Sequence, residues 1–353
     1  MVLIVPCAGK SARYGLNKPK FLLTHPDGKL MIQKSLEGIE LNQFERIIIT
    51  IVDDQITGYN SELILKQVFY NQEVLKFEIC VLADYTNSQS ETVYKTLSKM
   101  NIKGSFAVKD SDNKIELNEA FDVNKNFVVG LNINEMGKDI NRLQSKSFLK
   151  INSQGIITNI VEKKVVSENI CVGLYIFRDH LSYINSYIEL SKQYFGELYL
   201  SHIISHLILT KKEVFEFKNT IVFEDFGTLE DWKIVQSNYR TFFVDFDGVL
   251  VKNKGRFGVD NWSTPDQGIQ KNLDMLSTLS KSGSQIVITT SRPIEFETNI
   301  RLFLESYGVI IHSIVCGLNH SQRILINDFA ETNPYPSALG ISIKRNGTLD
   351  EYL

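Results

Sequence analysis

VPCAGKSARYGLNKPK, residues 5–20, runs from an apolar stretch directly into small, glycine-containing and basic residues. Leu3-Ile4-Val5 reads as a buried strand, and Ala8, Gly9, Lys10 and Ser11 as the loop that follows it. A loop of small residues lets backbone N–H groups approach a phosphate closely, while Arg13 and Lys20 supply charge for the outer phosphates of a triphosphate. Outward from this loop, the runs RIIITIV, FEICVL, SFAVK, NFVVGL, IITNIVE and CVGLYIF repeat the pattern of short β-rich segments, with helical stretches near Lys34 and from Glu91. The alternation predicts an α/β sheet covered by helices.

Length and composition bound the rest. A chain of 353 residues exceeds one hydrophobic core, so about two domains are expected. Hydrophobic residues make up 43% and charged residues 22%, with a formal net charge of -3. That balance lacks the basic excess that binds a polyanionic backbone, which argues against a nucleic-acid partner. The longest apolar runs are far too short to span a bilayer, and the apolar start has neither a basic flank nor a small-residue cleavage site, so a cytoplasmic protein is expected. Cys7, Cys80, Cys171 and Cys316 are scattered without metal or dithiol spacing and read as small buried residues. His202 and His206, four apart on a probable helix, read as packing residues because no third ligand accompanies them.

A second α/β cycle begins near Arg240. Its predicted strands are FFVDF, QIVIT and RILIN, separated by helical stretches over residues 268–282 and 294–307. DWKIVQSNYR reads as a closing helix leading into it, and the boundary is placed at residues 1–237 and 238–353. Homo-oligomerisation is left open by the sequence.

The first part resembles the sugar-phosphate nucleotidylyltransferases, whose start reads roughly P-A-A-G-x-G-x-R followed by P-K. Ser11 and Ala12 stand around the usual second glycine, so this loop is less glycine-rich than the family pattern. The resemblance implies a Rossmann-like (GT-A-type) mixed sheet over approximately residues 1–231. It places Ser90, Glu91 and Thr92 beside the nucleobase and ribose, and Glu162, Lys163, Gly173 and Tyr175 in the sugar-phosphate pocket. In VKDSDNKI it makes Asp112 a magnesium ligand, with Asp110 a second candidate, and in EDFGT it makes Asp225 the other ligand. The implied reaction is attack of an acceptor phosphate on the α-phosphorus of a nucleoside triphosphate, with loss of pyrophosphate. Arg13 and Lys20 would stabilise the leaving group and Lys163 the acceptor. CTP is the favoured triphosphate and a sugar or polyol phosphate the acceptor, as in enzymes that supply capsule or surface polysaccharide.

VDFDGVL, residues 244–250, resembles the first motif, D-x-D-G-x-L, of the haloacid dehalogenase (HAD) phosphatases. The likeness implies a second, capless HAD-like α/β domain with Mg2+ and an aspartyl-phosphate intermediate. Asp245 would be the nucleophile, Asp247 the acid and base, and both would face the metal. Thr290 is preferred to Thr289 for the second motif, because Thr-x-Arg-Pro recurs in these phosphatases. Arg323 falls where lysine is commoner, Asp328 is the remaining metal ligand, and Asn327 replaces the first acid of the usual pair. The chain is thus expected to be a bifunctional enzyme, or else a nucleotidylyltransferase whose second domain is a catalytically poor docking module.

Overall fold

A computed structural model of the chain describes residues 1–10, 14, 18–69, 77–117, 120–135, 143–255, 262, 265–328 and 338–352. They form two compact units, Met1–Trp232 and Lys233–Leu353. Among the described residues no helix is long and apolar enough to cross a membrane.

The first unit is built on a sheet whose strands are β1 (Val2–Pro6), β2 (Arg46–Val52), β3 (Phe77–Leu82), β4 (Phe106–Lys109), β6 (Asn126–Asn132), β7 (Ser147–Ile151), β8 (Ile157–Glu162), β9 (Asn169–Phe177) and β10 (Phe215–Asn219). A separate ribbon pairs β5 (Asn113–Ile115) with β11 (Phe223–Asp225). The main order is β10-β6-β9-β4-β1-β2-β3, with β7 and β8 attached beside β9. β3, β2, β1 and β4 run parallel, and β9 lies antiparallel between β4 and β6, so the sheet is mixed.

Continuous apolar runs form β1, β2 and β9, whose residues are buried on both faces. In β1, Leu3 and Val5 enter one core with Ile47, Ile49 and Phe127, while Val2 and Ile4 enter another with Ile48, Phe106 and Tyr183. The covering helices are α1 (Met31–Leu36), α2 (Asp53–Tyr59), α3 (Ser61–Phe69), α4 (Gln89–Lys99), α5 (His180–Ser191) and α6 (Leu200–Leu209). His202 and His206 lie on α6, as expected for that run. Helix α7 (Leu229–Asn238) follows β11 and spans the boundary between the units.

In the second unit β12 (Thr241–Asp245), β13 (Gln285–Thr289) and β14 (Ser313–Val315) form a parallel sheet, with α8 (Gln270–Lys281) and α9 (Glu297–Ser306) between successive strands. Val244, Phe246, Ile286 and Ile288 pack with Leu273, Leu276, Ile300 and Leu304 on one side. On the other face Val287 is buried while its ladder partner Phe243 is 57% exposed. The expectation of a strand at RILIN is corrected here. Residues 322–328 form no strand, Ile326 is 90% exposed, and the third strand is Ser313–Val315 instead. Alternating β-branched residues give a segment strand propensity, but without a ladder partner that propensity forms no strand.

One backbone position ties the sheet to its upper edge. Gly173 lies in β9 with φ +77°, and an added Cβ would fall 2.5 Å from Asn113 Nδ2 and against the Asp110 carboxylate. We expect Gly173→Ala to cost about 3 kcal/mol through strain and overpacking, read as a lower urea midpoint. A change under about 1 kcal/mol would refute that account.

Candidate functional site

Sheet order reverses at β1, which has β2 on one side and β4 on the other. In open α/β sheets the crevice at such a switch point, at the carboxyl ends of the strands, is where ligands bind. The loop after β1 and the turn after β4 both emerge there.

The first loop is anchored through its own backbone. Cys7 N–H donates to Thr50 O at 2.8 Å, Gln55 Nε2 to Cys7 O at 2.9 Å, and Thr86 N–H to Ala8 O at 3.2 Å. A Cβ added at Gly9 would meet no atom of the described residues within 4 Å, so among them nothing covers that backbone. Lys10 lies 5.9 Å from the centre of the Tyr85 ring. Burial pushes the Cys7 thiol up to about 12, which suits a packing role. Ser11 and Arg13 lie outside the described residues.

The turn after β4 carries the strongest charge constellation. Asp112 is paired with Lys20, and Asp225 with Lys146, and all four side chains are only 15–20% exposed. Asp225 Oδ1 and Asp112 Oδ2 lie 3.0 and 3.6 Å from the point a Cβ would occupy on Gly227, so the two carboxylates share one neighbourhood. Backbone bonds fix this meeting: Phe226 N–H donates to Asp112 O at 2.8 Å, and Gly227 N–H to Asp225 Oδ1 at 3.0 Å. Tyr14 O–H also donates to Phe226 O.

Two anionic oxygen donors fit a hard divalent cation such as Mg2+, which takes one or two carboxylates and completes its shell with water and phosphate oxygens. Among the described residues no three acids, histidines or cysteines gather into one group. Asp110 faces another way. It accepts from Gln89 Nε2, and burial, with Asp112 adding repulsion, holds its carboxyl above the ordinary range.

Sequence reasoning missed Lys146, Gln89 and Lys109. Lys146 and Gln89 carry no local signal, because their partners lie far along the chain. Lys109 ends an apolar strand and would ordinarily reach solvent, yet it is 0% exposed, and burial lowers its ammonium to about 8.

The three residues expected near the base serve the start of α4. Ser88 Oγ caps the helix by accepting from Glu91 N–H at 3.1 Å, and Glu91 Oε2 reaches back past the cap to accept from Asn87 N–H at 2.7 Å. Ser90 is buried and donates to Leu198 O, and Thr92 bonds Thr86 at 2.6 Å. On the far side of the crevice, Glu162 accepts from Ser147 and from Ser201 at 2.6 Å. Lys163, with φ +53°, lies 4.3 Å from the Tyr199 ring centre and donates to its hydroxyl, which in turn donates to Glu197. Tyr175 is buried in β9, and burial raises its hydroxyl pKa.

In the second unit Asp245, Asp247 and Thr290 meet at the carboxyl ends of β12 and β13. Desolvation raises the Asp245 carboxyl, countered by the charge of Arg323 and reinforced by that of Asp247. Asp247 is committed elsewhere: Arg292, 2% exposed, donates to it at 2.7 and 3.0 Å and to Asp266 at 2.7 and 3.0 Å. Thr290 Oγ1 stands 3.4 Å from Asp247 Oδ2. Arg323 bonds the carbonyls of Asn319 and Ser321, and Asp328 lies on the exposed run without joining Asp245 and Asp247 in a three-acid group. This donor set does not fit a magnesium cage, and no metal-dependent step is derived for it. A cleft of about 570 Å3 beside it is lined by Trp262, Asp266, Arg292, Phe296 and Phe303, among others.

Neither protein-family models nor curated proteins give a match to the chain. Solved structures do. A nucleoside-diphosphate-sugar pyrophosphorylase from Vibrio cholerae RC9 aligns with 67% of this chain and 99% of its own, with a TM-score of 0.53 and 20% identity. The inositol-1-phosphate CTP transferase from T. maritima aligns with 67% and 94%, at 0.50 and 11%. A UDP-glucose pyrophosphorylase complexed with UDP-glucose aligns with 66% and 96%, at 0.50 and 16%. The chain shares their fold over about two thirds of its length.

The buried Arg292 pair gives a stability test. Arg292→Met leaves two poorly solvated carboxylates without their counter-ion, and we expect a loss of about 3 kcal/mol in urea unfolding. Adding Asp266→Asn should recover part of it, since the sites are in contact. Additive losses would show that the carboxylates are not sharing the guanidinium.

Proposed function

We propose that the first unit transfers a nucleotidyl group from a nucleoside triphosphate to a sugar or polyol phosphate, releasing pyrophosphate. The observation that carries this reading is the convergence of Asp112 and Asp225, each paired with a lysine, at the switch point of a sheet shared with nucleotidyltransferase structures. The reaction needs no protein nucleophile. An acceptor phosphate oxygen forms a bond to the α-phosphorus, the bond from that phosphorus to the bridging oxygen breaks, and the electron pair leaves with pyrophosphate. The work of the protein is to position two anions and offset their charge.

The backbone at Gly9 and the neighbouring Lys10 would receive the triphosphate, a reading supported by the room left at Gly9 among the described residues. Lys20 and Lys146 already pair with anionic oxygens at this edge, and an incoming phosphate would present the same kind of partner. Lys163, fixed by Tyr199 and Glu197, is the candidate for holding the acceptor phosphate. Magnesium at Asp112 and Asp225 would supply the remaining positive charge between reacting phosphates. CTP is the favoured donor and a nucleoside-diphosphate sugar or polyol the product.

For the second unit the reading is a phosphate-ester hydrolase in which Asp245 attacks phosphorus. It is supported by the assembly of Asp245, Asp247 and Thr290 at one sheet edge. A rival reading, a docking module of low activity, is favoured by the tie of Asp247 to Arg292 and by the exposed position of Asp328.

Pyrophosphate release from four nucleoside triphosphates against a panel of sugar and polyol phosphates tests the first activity. Asp112→Ala and Asp225→Ala should each lower the rate by at least about a hundredfold with the fold intact by circular dichroism. Full activity in either would remove that acid from the site. Phosphate release from a generic phosphoester tests the second unit. Asp245→Asn should abolish it and spare pyrophosphate release, whereas an inactive parent chain would select the docking reading.

A further inference from the structure

Lys109 is the last residue of β4, fully enclosed, and its ammonium spends all three hydrogens on oxygen. It donates to Asp110 O at 2.9 Å, Asn113 O at 2.9 Å and Asn113 Oδ1 at 2.6 Å. The backbone of residues 110–113 is therefore wrapped around one charge, with Asp112 at the tip of the wrap. Asn113 is also the ladder partner of Asp225 in the β5–β11 ribbon. A single ammonium thus fixes both ends of the turn that carries one carboxylate and the register of the strand that carries the other.

Enclosing a lysine is costly unless its charge is balanced and every hydrogen is bonded. An apolar residue would fill the same space at the end of an apolar strand. We infer that Lys109 is a positioning residue whose ammonium cage pre-arranges Asp112 and Asp225 for a divalent cation. The inference rests on the nucleotidyl-transfer reading of that edge, and it concerns a side chain that touches neither carboxylate directly in the contacts above. Groups that orient metal ligands from behind typically change metal affinity 10–100-fold when removed.

Two effects of losing Lys109 oppose each other, which makes the sign of the result decisive. Loss of a nearby positive charge alone would tighten cation binding, whereas loss of the cage would loosen it.

Mn2+, a paramagnetic ion with the same oxygen chemistry, can be titrated into the whole chain without nucleotide and followed by the spin-resonance signal of the free ion. We expect Lys109→Met to weaken binding about tenfold and to raise the half-saturating Mg2+ for pyrophosphate release. A variant that is merely less stable would lose amplitude and keep both constants. Asn113→Ala, which removes one oxygen of the cage, should shift them in the same direction by less, and it decides the question if Lys109→Met does not fold. Unchanged or tighter Mn2+ binding in a folded variant overturns the inference. Asp112→Asn separates the two levels. If it retains Mn2+ binding and pyrophosphate release, the functional reading itself fails. If it loses both while the Lys109 variant keeps both, only the role of Lys109 fails.

Discussion

The antiparallel pairing of Asn113–Ile115 with Phe223–Asp225 is the constraint on which the first site depends. Neither strand belongs to the main sheet, and each is only three residues long, so the ribbon has little stability of its own. It persists because its ends are tied elsewhere: Asn113 to Lys109, Phe226 N–H to Asp112 O, and Phe226 O to the Tyr14 hydroxyl. Strand β9 supports it from below, where Gly173 leaves room for Asp110 and Asn113. The carboxylate pair is thus a product of register, set by backbone bonds between segments distant in sequence.

Much of the fold was legible because both faces of the large sheet are buried. RIIITIV and CVGLYIF are predominantly apolar and buried, FEICVL is apolar apart from Glu78, and each became a strand with near-expected limits. Strands such as Phe215–Asn219 and Ser147–Ile151 were not anticipated, since they are short, partly polar and defined by their neighbours. RILIN shows the converse failure, strong propensity without a partner. At the site, Asp112 and Asp225 were visible as motif residues, while their lysine partners were only half so. Lys20 lies within the opening motif; Lys146 has meaning only once β11 has been brought beside it. Glu91 illustrates another ambiguity, for Ser-x-x-Glu is also the pattern of a helix start, and its side chain turns back to the backbone N–H of Asn87 there.

The second unit departs furthest from its sequence pattern. Asp245, Asp247 and Thr290, singled out by resemblance, lie at one sheet edge, but Arg292, read only as part of Thr-x-Arg-Pro, is the centre of the cluster. Its guanidinium stands 4.7 Å from the Phe246 ring centre and bridges two acids, an arrangement only a planar, forked cation can make. Asp266 had no motif to announce it. A free Asp247 and a bound Asp247 are chemically different groups, and the choice between hydrolase and docking module reduces to which of them exists in the working protein.

Lysine pairing at the first site also has a bearing on how a triphosphate arrives. Two bare carboxylates side by side would repel a ligand carrying several negative charges. With Lys20 and Lys146 in place, each carboxylate is matched by an ammonium group, which lowers the repulsion an anion would meet there. The same ammonium groups can then turn from carboxylate to phosphate oxygen without any charge being created in a poorly solvated space. In the proposed reaction the acids, relieved of their partners at that moment, would become available to a cation that arrives with the nucleotide.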